Sequence, residues 1–157
     1  ACDRFGLDEP RLILEPGRAI VGRAGVALYS VGGIKDIPGV RKYVSVDGGM
    51  GDNIRPVLYG AGYSAVKANG LTEPVAGAVT IAGKYCESGD LLVKDAQLPS
   101  LDTGDLLAIA ASGAYCLSMA SNYNMSLRPA VVLVNDGEAR LIRRRETYDD
   151  LLAQSIL

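Results

Sequence analysis

Cys86-Glu87-Ser88-Gly89-Asp90 gathers a thiol and two carboxylates within five residues, with Ser and Gly turning the chain between two apolar runs. A thiol beside acids can donate a proton or position a cation, and a partly buried cysteine can equally be inert packing. Glu15-Pro16-Gly17-Arg18 also has two readings: a turn with a solvated ion pair, or a loop whose glycine N–H and arginine take an anionic group. In Asp47-Gly48-Gly49-Met50-Gly51-Asp52-Asn53-Ile54-Arg55-Pro56, three glycines permit close approach to a ligand and Arg55 offers a bidentate carboxylate clamp. A plain glycine-rich connection between strands explains the same residues. No Gly-Lys-Ser/Thr follows the glycines, so the stretch is not a phosphate-binding P-loop. Ser112-Gly113-Ala114-Tyr115-Cys116 sets a tyrosine behind small residues, where its hydroxyl can meet a phosphate or cap the core. Arg143-Arg144-Arg145, flanked by Glu138, Glu146, Asp149 and Asp150, reads as a solvated strand end.

Histidine is absent from the 157 residues. Ser-His and Cys-His nucleophile pairs are therefore excluded within this chain, as is the commonest metal ligand. The three cysteines, at 2, 86 and 116, form no CxxC spacing, so no metal site is expected.

These groups need elements to hold them. Residues 11 to 14, Arg-Leu-Ile-Leu, read as a short buried strand that Pro16 and Gly17 terminate. From Ala19 to Val31 the small and β-branched residues are ambiguous between helix and strand, and helix first, strand later is the reading adopted. Lys42 to Asp47 alternates as a strand and feeds the glycine-rich loop. Further strand-like runs lie at Val57 to Tyr59, Ser64 to Ala68, Val75 to Ile81, Leu91 to Lys94 and Leu106 to Ala110. Strands at this spacing predict a sandwich or barrel. Pro129 to Val134 and Glu138 to Arg144 flank Asn135-Asp136-Gly137, where Asp-Gly supplies the positive φ of a hairpin turn. Thr147 with Asp150 resembles a capping box ahead of a short final helix.

Sixteen basic and eighteen acidic side chains give a net charge of −2, which is not the signature of a nucleic-acid binder. Apolar residues make up 48% and aromatics 6%, with Phe5 the single Phe and no Trp, so the core must be aliphatic. Nineteen dispersed glycines favour a β-rich domain of tight turns. No apolar run approaches the ~20 residues of a membrane span. A cytoplasmic location with free cysteines is expected.

In order, the chain carries EPGR (15 to 18), DGGMGDNIRPVLY (47 to 59), CESGD (86 to 90), GAYCLSMASNYN (113 to 124) and RRRETYDDLL (143 to 152). From about Leu12 to Leu152 this series resembles the C-terminal part of the diaminopimelate decarboxylase family, pyridoxal-phosphate (PLP) enzymes that make L-lysine and are similar to alanine racemase and ornithine decarboxylase. The resemblance implies an N-terminal (β/α)8 barrel that carries the cofactor, a C-terminal β-domain, and active sites shared across a homodimer. It implies that Glu15 pairs with the pyridine nitrogen, that the Gly17 backbone lies near the phosphate, and that Tyr115 hydrogen-bonds the phosphate. Arg18, Arg55 and Tyr59 would hold the distal carboxylate of the substrate. In the neighbouring subunit's site, Glu87 would meet the distal amino group and Cys86 would donate a proton after carbon dioxide leaves.

On that resemblance, residues 1–29 are the end of the barrel, with its last strand and helix, and residues 30–157 are the mainly β domain with a short terminal helix. The family's Schiff-base lysine motif does not occur around any of the five lysines, 35, 42, 67, 84 and 94. The chain alone is therefore expected to be inactive and to bind PLP weakly. The lack of an initial Met fits either an upstream domain or processing. Two other readings stand beside this one: a related decarboxylase of ornithine, arginine or carboxynorspermidine, and a non-catalytic dimerisation domain.

Overall fold

The computed structural model describes residues 2–156. Two short helices come first, α1 (Cys2–Phe5) and α2 (Arg18–Val21), then a 3-10 turn at Gly22–Ala24. The sequence continues through β1 (Ala27–Ile37), β2 (Arg41–Val46), α3 (Arg55–Tyr59), β3 (Ala65–Lys67), β4 (Gly77–Ala82), β5 (Leu91–Leu98) and β6 (Leu106–Ile109). It ends with α4 (Cys116–Met119), a 3-10 turn at Tyr123–Met125, β7 (Val131–Asn135), β8 (Glu138–Arg143) and α5 (Tyr148–Leu152).

Six strands form one sheet in the order β3-β6-β1-β2-β4-β5, and its two edge strands touch, so the sheet is nearly closed into a barrel. The long β1 makes this possible. Its first half pairs with β6 from Ala27 to Ser30, and its second half pairs with β2 after an irregularity between Val31 and Gly33. Such a bulge bends a strand and raises its twist, which turns β1 from one half of the sheet into the other. β2 and β4 are parallel. Parallel neighbours require a long crossover, and here the crossover contains the glycine-rich loop, α3 and β3. The crossover thus carries α3, which lies near β5.

The core is aliphatic as composition required, with Tyr29 its one buried aromatic. Val44, Ile81 and Leu107 have no exposed surface, and burying each side chain stabilises the fold by roughly 1.5–3 kcal/mol. Lys67 is buried too, and its charge is satisfied by Glu73 at 2.9 Å, Asp105 at 3.2 Å and the Ser100 carbonyl at 3.1 Å.

Helix first, strand later is what residues 19–31 adopt. β7 and β8 flank Asp136 and Gly137, with φ values of 49° and 80°, the left-handed pair a two-residue hairpin turn needs. The capping box before α5 is complete: Thr147 Oγ1 accepts from the Asp150 N–H, and Asp150 Oδ2 accepts from the Thr147 N–H. Two expectations are corrected. Residues 11–14 form no strand, and Leu12, Ile13 and Leu14 are 79%, 75% and 82% exposed, because no neighbouring strand among the described residues offers them a ladder. Val57–Tyr59 is helical rather than extended. Pro56 in the first turn needs no N–H partner there, and Gly60 follows the last turn, so helix start and stop signals flank a run too short to show periodicity.

Candidate active site

Arg55 and Tyr59 lie four residues apart on α3 and so share one face of the helix. The Arg55 guanidinium carbon is 5.3 Å from the Tyr59 ring centroid and 5.4 Å from that of Tyr115. A guanidinium between two aromatic faces is held flat while its edge donors remain available. Tyr115 precedes α4 with φ 67°, a left-handed conformation that costs a bulky residue roughly 1–3 kcal/mol. Its ring is 44% exposed, and no hydrogen bond among the described residues uses its hydroxyl.

The segment after Pro16 is docked against this tyrosine by backbone packing. A Cβ on Gly25 would stand 2.3 Å from the Gly113 Cα, and the Ser112 and Gly113 N–H groups donate to the carbonyls of Gly25 and Gly22 at 2.8 and 3.1 Å. That approach carries Gly17 under Tyr115, where a Cβ would come within 2.2 Å of the tyrosine oxygen. Arg18 folds against Gly22, where a Cβ would meet its Cγ at 2.7 Å and the Ala114 side chain at 3.8 Å. Glu15 is exposed, and no hydrogen bond among the described residues reaches it. Gly17, Arg55, Tyr59 and Tyr115 are therefore brought together from three parts of the chain, and Arg18 follows Gly17 at the start of α2. An unengaged hydroxyl over a bare glycine backbone, with a guanidinium on the same ring, suits a phosphate or carboxylate.

The glycines of residues 47–54 serve packing rather than a ligand. A Cβ on Gly48, Gly49 or Gly51 would meet Tyr29 at 2.2 Å, Asp90 at 2.6 Å or Tyr85 at 2.0 Å respectively. Asp90, which is 3% exposed, accepts from the Met50 N–H at 2.7 Å and the Tyr85 N–H at 2.9 Å. It is a clamp between the loop that leads to Arg55 and the loop that holds Cys86. Burial pushes its carboxyl above the usual carboxylate range, against the pull of those two N–H groups.

Cys86 is exposed and Glu87 half-buried. The Cys86 thiol donates to Glu87 Oε1 at 3.4 Å, and the Tyr123 hydroxyl donates to the same oxygen. The Tyr123 hydrogen bond holds the Glu87 carboxyl below the usual carboxylate range and pushes the phenol up. Glu87 Oε2 is shielded from solvent without a partner among the described residues. Gly89 of the same loop approaches α3 at Val57, where a Cβ would stand 3.7 Å from Val57 Cγ1. A cavity of about 440 Å³ is lined by Val57 of α3 together with Ser88 and Gly89, and no hydrogen bond or ion pair among the described residues joins Cys86 or Glu87 to Arg55. One chain thus presents two separate groups of residues. The clamp role of Asp90 and the contact of Tyr123 with Glu87 had no local sequence signal, because Met50 lies 40 residues from Asp90 and Glu87 lies 36 from Tyr123.

The family model for the "Pyridoxal-dependent decarboxylase, C-terminal sheet domain" matches residues 18–113. The diaminopimelate decarboxylase of Synechocystis sp. is 55% identical over 157 residues, which is 100% of this chain and 34% of that protein. That of Bacillus subtilis is 56% identical over 149 residues, 95% of this chain and 34% of the relative. The crystal structure of diaminopimelate decarboxylase from M. jannaschii in co-complex with L-lysine superposes with a TM-score of 0.87 at 43% identity, covering 98% of this chain and 35% of that one. The chain spans about a third of the length of these relatives. With the sheet domain matched over most of the described barrel and identities above half, the chain belongs to the pyridoxal-dependent decarboxylases.

Proposed function

We propose that this chain is the C-terminal part of a diaminopimelate decarboxylase, which converts meso-2,6-diaminopimelate to L-lysine and carbon dioxide. The observation that carries the reading is Arg55 held between the rings of Tyr59 and Tyr115, with the Tyr115 hydroxyl lying on Gly17. In this reading Tyr115 and the Gly17 backbone hold the phosphate of PLP, and Glu15 keeps its pyridine nitrogen protonated. Bound PLP supplies an electron sink for the pair released when carbon dioxide leaves. Arg55, Arg18 and Tyr59 bind the distal carboxylate of the substrate, since a planar guanidinium can meet both oxygens. Glu87 receives the distal ammonium, and Cys86 carries a proton at Sγ for the carbon that lost its carboxylate. A positioned thiol can act as a general acid.

Cys86 and Glu87 act in the site of a second subunit. The lack of any hydrogen bond or ion pair from them to Arg55 among the described residues supports that division, and the enzyme in this reading is a homodimer. Residues 1–29 complete a cofactor-binding barrel and residues 30–157 form the β-domain. The run from Leu12 to Leu14 supports this, as three apolar side chains exposed to this degree suit burial against further protein. No helix among the described residues is long and apolar enough to cross a membrane, and a cytoplasmic enzyme fits the three free cysteines. L-Lysine in the M. jannaschii structure is the product this reading assigns.

The test is carbon dioxide release by the full-length PLP-loaded enzyme on meso-diaminopimelate, ornithine, arginine and carboxynorspermidine. Turnover confined to diaminopimelate is expected. Faster turnover of one of the other three would transfer the assignment to that substrate. The 157-residue chain alone is expected to release none.

A further inference from the structure

We propose that Tyr123 is a positioning residue for Glu87, fixing its carboxylate so that one oxygen is saturated from within the chain and the other is kept for a donor brought by the substrate. The inference rests on the reading of Glu87 as the group that meets the substrate's distal ammonium.

Three observations converge on it. Glu87 Oε1 accepts from both the Tyr123 hydroxyl and the Cys86 thiol, while Oε2 is shielded and without a partner. A carboxylate with one oxygen doubly engaged has lost its rotational freedom, and its remaining oxygen gains most from a charged donor. Tyr123 also packs against the residue on the far side of Cys86, its ring centroid 5.6 Å from that of Tyr85. Both flanks of the thiol are thus fixed by one side chain.

Tyr123 is itself anchored. Asn122 Nδ2 donates to the Ser126 carbonyl at 3.0 Å and to Glu146 Oε2 at 2.6 Å. The same Glu146 oxygen accepts from the Arg128 N–H at 2.8 Å, and the Ser121 N–H donates to the Gly51 carbonyl at 2.9 Å. Within the turn, Asn124 and Met125 take φ values of 51° and 58°. Two successive non-glycine residues in the left-handed region persist only where their surroundings impose it. The turn therefore presents Tyr123 from a fixed base, and it does so from the segment that begins with the strained Tyr115.

The experiment uses the full-length PLP-loaded enzyme with Tyr123→Phe, Glu87→Gln and the double variant, measuring kcat and KM for meso-diaminopimelate. Phenylalanine keeps the ring against Tyr85 and removes only the hydroxyl, and cofactor content at the wild-type level checks the fold. Loss of a hydrogen bond to a charged group is expected to raise KM about tenfold, with kcat within about twofold. In the Glu87→Gln background the same change is expected to raise KM less than about twofold, because the charge that Tyr123 would hold in place for the ammonium is gone. Tyr123→Phe with wild-type KM beside an impaired Glu87→Gln overturns the inference alone, as does an equal effect of Tyr123→Phe in both backgrounds. Glu87→Gln with wild-type kcat/KM overturns the reading of Glu87 and the inference with it.

Discussion

Replacing Asp90 with alanine removes a buried side chain that ties the loop leading to Arg55 to the loop holding Cys86 and Glu87. Asp90 is 3% exposed, and its two oxygens accept separately from the Met50 and Tyr85 N–H groups at 2.7 and 2.9 Å. Alanine leaves both donors unpaired next to Gly49 and Gly83, whose missing side chains open no other acceptor. An unsatisfied buried donor costs about 1–3 kcal/mol, so two cost about 2–6 kcal/mol, and water entering the space left by the carboxylate brings the figure towards the lower half of that range. About 3 kcal/mol corresponds to amide exchange on the order of 100-fold faster wherever exchange proceeds through local opening. Hydrogen exchange read by mass spectrometry on the full-length enzyme, in peptides covering 47–54 and 83–90, measures this directly. Both peptides are expected to accelerate together, with residues 131–143 unchanged. Asparagine at the same position keeps one acceptor but turns an NH2 towards the other N–H, and an intermediate acceleration is expected. Unchanged exchange in either peptide for Asp90→Ala would refute the clamp, since one of the two N–H groups would then have another partner.

Gly17→Ala places a methyl group 2.2 Å from the Tyr115 oxygen, so the full-length enzyme is expected to keep its fold and lose PLP affinity, measured by cofactor titration. Arg55→Lys keeps the charge but loses the flat faces between Tyr59 and Tyr115 and the paired donors, and KM for meso-diaminopimelate is expected to rise about tenfold or more in steady-state kinetics. Asp150 is held well below the usual carboxylate range by the Arg144 guanidinium and by Thr147. A carboxyl whose folded pKa lies below its unfolded value stabilises above the unfolded value and loses that contribution as the pH falls towards the folded one. Protection factors of amides in α5 are therefore expected to decline below about pH 4, and in Asp150→Asn that decline should vanish.

Several elements were legible in the sequence because their causes are local. Asp136-Gly137 provides its own turn geometry, Thr147 and Asp150 cap a helix three residues apart, and the alternation from Lys42 to Asp47 sets which side chains of β2 face the core. The motifs EPGR, CESGD and GAYC lie in order along the chain, and that order pointed to the family before any geometry was known.

Other features depended on tertiary partners. The run Arg11 to Leu14 has strand-like residues but no strand to pair with among those described, and pairing is what makes a strand. Val57 to Tyr59 is too short for its period to show, and a crossover between parallel β2 and β4 took it as helix. Composition could not say whether the glycines of residues 47–54 admit a ligand or a side chain. Tyr29, Tyr85 and Asp90 occupy that space. Asp90 reads in sequence as one of two acids beside a thiol, and Tyr123 as one more aromatic, whereas folding brings Asp90 to Met50, 40 residues away, and Tyr123 to Glu87, 36 residues away. Sequence by itself determined the residue types available for chemistry, the aliphatic core and the local turns. Only the tertiary structure decided which of those residues meet, because hydrogen-bond distances of about 3 Å are set by packing between distant segments and not by spacing along the chain.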